Sequence, residues 1–171
     1  KEVEDVKREI DKVLEDARRL LKESDDTLKK ILDKARRDLE ESDRRLKEIL
    51  DKVRKDGLDE ELLRRIEEYA KRHHDRNREI LERLRELVKR HHDRNRDIVR
   101  RLEELVDKLK KDNIPFEELK DTVDKLRREI ERRITESRRH VEELRRRVEE
   151  MLERSERNVR EAEKKLEEDK K

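Results

Sequence analysis

His73-His74-Asp75-Arg76-Asn77-Arg78 recurs without change as His91-His92-Asp93-Arg94-Asn95-Arg96. The two copies begin 18 residues apart, and 18 residues make five turns of α-helix, so both copies face one way. The same interval separates Ser24 from Ser42 and Ser137 from Ser155. A polar device is therefore installed twice, in register, in each third of the chain.

Composition narrows the class. Of 171 residues, 61% are charged and 1% are aromatic, with one Gly and one Pro, the profile of long helices rich in Glu, Lys, Arg and Leu. The 53 basic and 51 acidic residues nearly cancel to +2 and are interspersed, so no footprint for nucleic acid or an acidic substrate follows. An apolar fraction of 29% would favour disorder if scattered, but these residues are periodic. No cysteine is present, which removes disulfides and thiolate metal sites from consideration. No apolar run approaches the roughly 18 residues of a membrane span, and no signal-peptide pattern opens the sequence. The expectation is a soluble protein with no natural compartment indicated.

Two breaks divide the chain. At Lys55-Asp56-Gly57-Leu58-Asp59, Gly57 suits a left-handed C-terminal cap and Asp59 an N-terminal cap. At Asp112-Asn113-Ile114-Pro115-Phe116, Asn113 can end a helix and Pro115 fits the first turn of the next. The spacing predicts helices over about 1–56, 59–112 and 115–170, each roughly 80 Å long at 1.5 Å per residue. Short connections make sequential helices antiparallel. The fold class read from this pattern is all-α, a single-chain antiparallel three-helix bundle forming one domain over residues 1–171.

The inward seam of helix 1 runs Ala17, Leu21, Ser24, Leu28, Ile31, Ala35, Leu39, Ser42, Leu46, Ile49, Val53. Helix 2 continues it with Leu62, Ile66, Tyr69, His73, Asn77, Ile80, Leu84, Leu87, His91, Asn95, Ile98, Leu102, Leu105, Leu109. Helix 3 supplies Leu119, Val123, Leu126, Ile130, Ile134, Ser137, Val141, Leu144, Val148, Leu152, Ser155, Val159, Ala162, Leu166. A repeat of 18 per five turns lies between the heptad that enforces left-handed supercoiling and the 11-residue repeat that enforces right-handed. Nearly straight helices are expected. Leu14, Leu32, Leu50, Leu63, Ala70, Leu81, Val88 and Met151 widen each seam, so that each helix can face two neighbours.

Register follows from the turns. If Val53 lies opposite Leu62, Ser42 falls opposite His73 and Ser24 opposite His91; if Leu109 lies opposite Leu119, His91 falls beside Ser137 and His73 beside Ser155. Two independent turns thus predict the same two layers. One holds Ser24, His91, Asn95 and Ser137, with Thr27, His92 and His140 at its rim; the other holds Ser42, His73, Asn77 and Ser155, with His74 and Asn158 at its rim. On a helical wheel His73 and Asn77 sit ~40° apart within the apolar face, whereas His74 lies ~100° from His73. A neutral imidazole and an amide each offer donor and acceptor, and serine hydroxyls rotate to complete the circuit.

Two functions fit such layers. The first is structural: a half-satisfied polar network is worse than an apolar layer, so wrong registers and partners are penalised. The second is a pH switch, since histidine titrates between about pH 5 and 8. His91, His92 and His140 fall in one layer, which raises zinc as a ligand, but adjacent histidines diverge and no acidic ligand is expected on the inner face, so no metal or cofactor is expected. The sequence contains no paired inward carboxylates, Gly-rich phosphate loop or nucleophile elbow, so no enzyme is expected.

The apolar seams, Glu/Lys/Arg surfaces, minimal loops and duplicated Ser, His and Asn layers resemble de novo designed helical bundles with modular buried hydrogen-bond networks, over the whole chain. Through His73, Asn77, His91 and Asn95 it is similar to the histidine-containing designs of that class, which are made to disassemble or unfold in acid, some of them to disrupt membranes at low pH. That pH-responsive type is best known as trimers of helical hairpins, whereas three helices in one chain can close on themselves. The resemblance implies a structural bundle specified by its networks, with a pH-responsive module as the alternative. A monomer needing no partner is expected, the alternatives being a swapped or hairpin-type homo-oligomer and, at low pH only, a membrane.

Overall fold

The computed structural model describes residues 2–57, 59–111 and 113–169. The fold is all-α, and the described residues form three helices: α1 (Glu2–Lys55), α2 (Glu60–Lys111) and α3 (Phe116–Asp169). Acidic residues occupy each first turn, as in Glu60 and Glu61 of α2, and basic residues close α1 and α2, which complements the helix dipole. The expected terminal positions Lys1, Asp112 and Lys170, and the side chain expected inward at Leu166, lie outside the described residues.

The first turn forms as its sequence dictates. Gly57 adopts φ +64°, Asp56 N–H donates to the Lys52 carbonyl at 3.0 Å, and Asp59 caps α2 by accepting from Glu61 N–H at 3.4 Å. At the second turn the details differ. No described non-glycine residue has positive φ, so Asn113 does not form a left-handed cap. Pro115 precedes the helix rather than opening it: its carbonyl accepts from Leu119 N–H at 2.9 Å, which is the N-cap role, and Phe116 takes the first helical position. Proline's missing N–H is no handicap there.

The chain comprises two compact units, each built from part of all three helices: Lys1–Lys29 with Val88–Glu143, and Lys30–Leu87 with Leu144–Lys171. In the first unit Val6, Ile10, Leu14, Ala17 and Leu21 pack against Leu102, Val106 and Leu109 of α2 and Leu119 to Ile134 of α3, with Ile114 and Phe116 closing the turn end. Val6 and Ile10 extend the α1 seam upstream of Ala17, where the sequence reading began it. In the second unit Leu46, Ile49 and Val53 pack with Val159, against half-buried Leu63, Ile66, Tyr69 and Ala162. Removing such apolar surface from water is the main drive for folding, at about 25 cal/mol per Å².

One seam position moves. Leu105 is 40% exposed, while Val106 is 2% exposed. The two lie ~100° apart on opposite flanks of the line from Leu102 to Leu109. Periodicity alone leaves the flank open, and packing against both α1 and α3 selects Val106.

Charged pairs repeat the helix directions within each unit. In the first, Arg18 donates to Glu103 at 2.6 Å, Lys110 pairs with Asp11, and Arg127 pairs with Glu9, so α1 and α2 are antiparallel and α1 and α3 parallel. In the second, Arg54 pairs with Glu67 at 3.0 Å, and Arg45 spans α1 to α3 with bonds of 2.8 and 2.9 Å to Glu156 and 3.1 Å to Glu163. The Arg45 guanidinium holds the Glu156 carboxyl below the usual range.

Candidate functional site

A polar group buried among apolar side chains requires a hydrogen-bond partner or it destabilises the fold. Among the described residues the buried polar ones are Ser24, Ser42, His73, Asn77, His91, Asn95, Ser137 and Ser155. They form two groups, one in each unit. Each group takes one serine from α1, a histidine and an asparagine from α2, and one serine from α3.

In the first unit Ser24 Oγ lies 3.1 Å from His91 Nε2 and 2.8 Å from Ser137 Oγ, and Ser137 Oγ lies 3.2 Å from His91 Nε2. In the second, Ser42 Oγ lies 2.7 Å from His73 Nε2 and 3.0 Å from Ser155 Oγ, with Ser155 Oγ 3.4 Å from His73 Nε2. The two serines of each pair are 113 residues apart in sequence, so one register serves both triangles.

Each asparagine extends its triangle to a carboxylate. Asn95 Nδ2 donates to Asp25 Oδ1 at 2.8 Å and reaches the Leu21 carbonyl at 3.4 Å; Asn77 Nδ2 donates to Asp43 Oδ1 at 3.0 Å. The other oxygen of each carboxylate faces a half-exposed or exposed imidazole: His92 Nδ1 lies 2.9 Å from Asp25 Oδ2, and His74 Nδ1 lies 2.8 Å from Asp43 Oδ2. Among the described residues no buried side-chain nitrogen or oxygen lacks a partner.

Asp25 and Asp43 are the residues the sequence reading missed. It expected no acid on the inner face, yet the Asp25 side chain is only 13% exposed. The signal was present: Ser24-Asp25 and Ser42-Asp43 form the α1 counterpart of the α2 repeat. A position ~100° from the buried serine looks like surface on a wheel, but an aspartate there is short enough to turn toward the neighbouring helix.

Three expected members are placed differently. His140 is exposed; its Nε2 accepts from the Arg94 guanidinium at 2.9 Å, and its ring meets that of His91 edge to face, with centroids 6.5 Å apart. Asn158 contributes its main-chain carbonyl, which accepts from Tyr69 Oη at 2.9 Å. Thr27 donates to the Glu23 carbonyl of its own helix at 2.9 Å, a local bond that competes with any longer reach.

These environments set the protonation of the core imidazoles. Burial holds His73 below the ordinary histidine range; Asp43 opposes this, and Arg76 and His74 reinforce it. Burial does the same to His91, opposed by Asp25 and reinforced by His140, Arg94 and His92. Burial also pushes the Tyr69 hydroxyl up, which suits its role as a donor.

The histidines do not converge as metal ligands. His92 turns to Asp25 and His140 Nε2 is occupied by a cation, and among the described residues no group of three or more His, Cys, Asp or Glu side chains could hold a metal ion. No helix of the described residues is long and apolar enough to cross a membrane. No protein-family model, curated protein or solved structure matches the chain.

Proposed function

We propose that the chain is a designed structural bundle whose two Ser/His/Asn layers determine helix register and partner choice. The observation that carries this reading is the repetition of one triangle, Ser24/His91/Ser137 and Ser42/His73/Ser155. Leu and Val seams are tolerant of sliding, because one apolar contact is much like another. Hydrogen bonds are not: a slip that separates the layers strands eight buried polar side chains, at about 1–3 kcal/mol for each unmet group. The networks therefore penalise every register but one. Identical six-residue strings and matched Ser-Asp pairs support a modular, designed origin. The reading requires no cofactor, partner or catalysis, and the proposed working form is the monomer.

Replacing one layer with apolar residues, through Ser24→Val, His91→Leu, Asn95→Leu and Ser137→Val together, tests it. The variant is expected to keep or gain thermal stability while its amide spectrum broadens or doubles as alternative registers become populated. A single sharp set of resonances, unchanged from the parent, would count against the proposal.

A second reading has its own support. His73 and His91 are both buried and both held toward the neutral form, so acid loosens the bundle, and a pH-responsive use follows if that loosening exposes apolar seams to a membrane. Dye release from vesicles at pH 5 but not at pH 7.5 would favour it. Intact vesicles at both values would sink it.

A further inference from the structure

We infer that Asp25 sets the direction of the first layer's hydrogen bonds and thereby holds neutral His91 as the Nε2–H tautomer, so that acid adds its proton at Nδ1 and reverses no bond of the layer. The protons available to the layer are few enough to count. An ionised carboxylate only accepts, so Asn95 must turn its Nδ2 to Asp25 and its Oδ1 to Ser137. The Ser137 Oγ–Asn95 Oδ1 contact, at 3.4 Å, can be made only by the Ser137 proton. The Ser24–Ser137 contact, at 2.8 Å, then requires the Ser24 proton. Both hydroxyl protons are now used, and the contacts of Nε2 with Ser24 at 3.1 Å and Ser137 at 3.2 Å are made by one shared Nε2–H. With Nε2 as an acceptor, two hydroxyl protons would serve four contacts and leave two empty.

A histidine that accepts from its network has a bond inverted when it is protonated. His91 does not, because its Nε2–H persists and the proton arriving from solvent takes the Nδ1 lone pair. What opposes protonation is burial first and then charge: Asp25 from α1 favours the imidazolium and is the one anion among the charged groups about the ring, while His140 from α3 and Arg94 and His92 from α2 disfavour it. The layer therefore resists acid through its bonds and senses it through burial and repulsion.

The inference rests on the layer being a closed network, and it fails separately from the register proposal: a reversed tautomer leaves register intact, and lost register after the apolar replacement leaves the tautomer of the parent untouched. Long-range proton–nitrogen correlation on the ¹⁵N-labelled chain at pH 8 reads it directly, with His91 assigned from the peaks that vanish in His91→Gln. The expected result is a protonated, pyrrole-type Nε2 and an unprotonated, pyridine-type Nδ1, with Nε2 keeping its type as the pH is lowered until Nδ1 titrates. A pyridine-type Nε2 at pH 8 would overturn the inference. In Asp25→Asn the anchor becomes able to donate or accept, and the tautomers are expected to mix. Ser137→Ala cuts the same chain at its middle and gives the same readout should Asp25→Asn not fold. An unmixed Nε2–H tautomer in whichever variant folds would show that Asp25 does not direct it.

Discussion

Ser24 on α1 and Ser137 on α3, both buried, bring their hydroxyl oxygens to 2.8 Å, with His91 Nε2 in reach of both. Neither serine is adjacent to the other in any local sense. Their contact exists because α1 and α3 run parallel against α2, and it recurs in the second unit between Ser42 and Ser155, at 3.0 Å.

Acid should destabilise the chain with a defined sign. His73 and His91 bind protons less readily folded than unfolded, so the unfolded state takes up more protons below the ordinary imidazole value of ~6.5. The contribution is fully present above that pH and is lost as pH falls toward the folded values. Urea midpoints are expected to be flat from pH 7.5 to 9 and to decline below pH 6.5, and a variant carrying His73→Asn and His91→Asn should lose most of that slope. An equal slope in the variant would assign the sensing elsewhere.

The carboxylate anchors should matter to stability despite their place at the rim. Asp25→Ala leaves the Asn95 amide, 2% exposed, without its charged acceptor, and a hydrogen bond to a charged group is worth about 1.5–3 kcal/mol. A loss of that order is expected by chemical denaturation at pH 7.5, with a similar loss for Asp43→Ala. Asp93→Ala, at an exposed position of α2, is the control and should change little.

Neighbouring apolar positions on α2 should respond oppositely. Leu105→Lys places charge where 40% of the residue is already exposed, and the stability change should stay within about 0.5 kcal/mol. Val106→Lys forces an ammonium into a site 2% exposed, and a loss above about 3 kcal/mol or failure to fold is expected. Equal tolerance at both positions would contradict the packing of the first unit.

Gly57→Ala isolates backbone strain, because a Cβ at that position meets nothing within 4 Å. The cost comes from holding an L-residue at φ +64°, about 1 kcal/mol, and should appear as a small drop in melting temperature with helicity unchanged.

Much of this was legible in one dimension. The 3.6-residue period announced helices, Gly57 and Asp59 marked the first turn by the backbone conformation and capping each permits, and the 18-residue interval aligned serine with histidine across three segments. Less legible was what the side chains flanking the seam do. Asp25 and Asp43 sit where a wheel places surface, Leu105 and Val106 lie on flanks a wheel treats alike, and the bond from Arg94 to the rim histidine His140 joins two helices.

By itself, then, the sequence determined helix number, direction and register, because these follow from periodicity and turn chemistry, which are local properties of the chain. Only the tertiary structure decided which flank of α2 is buried, which carboxylates close the layers and what His74, His92 and His140 meet. Those outcomes depend on distances of about 3 Å between groups on different helices, and the reach of a side chain across that gap is set by packing.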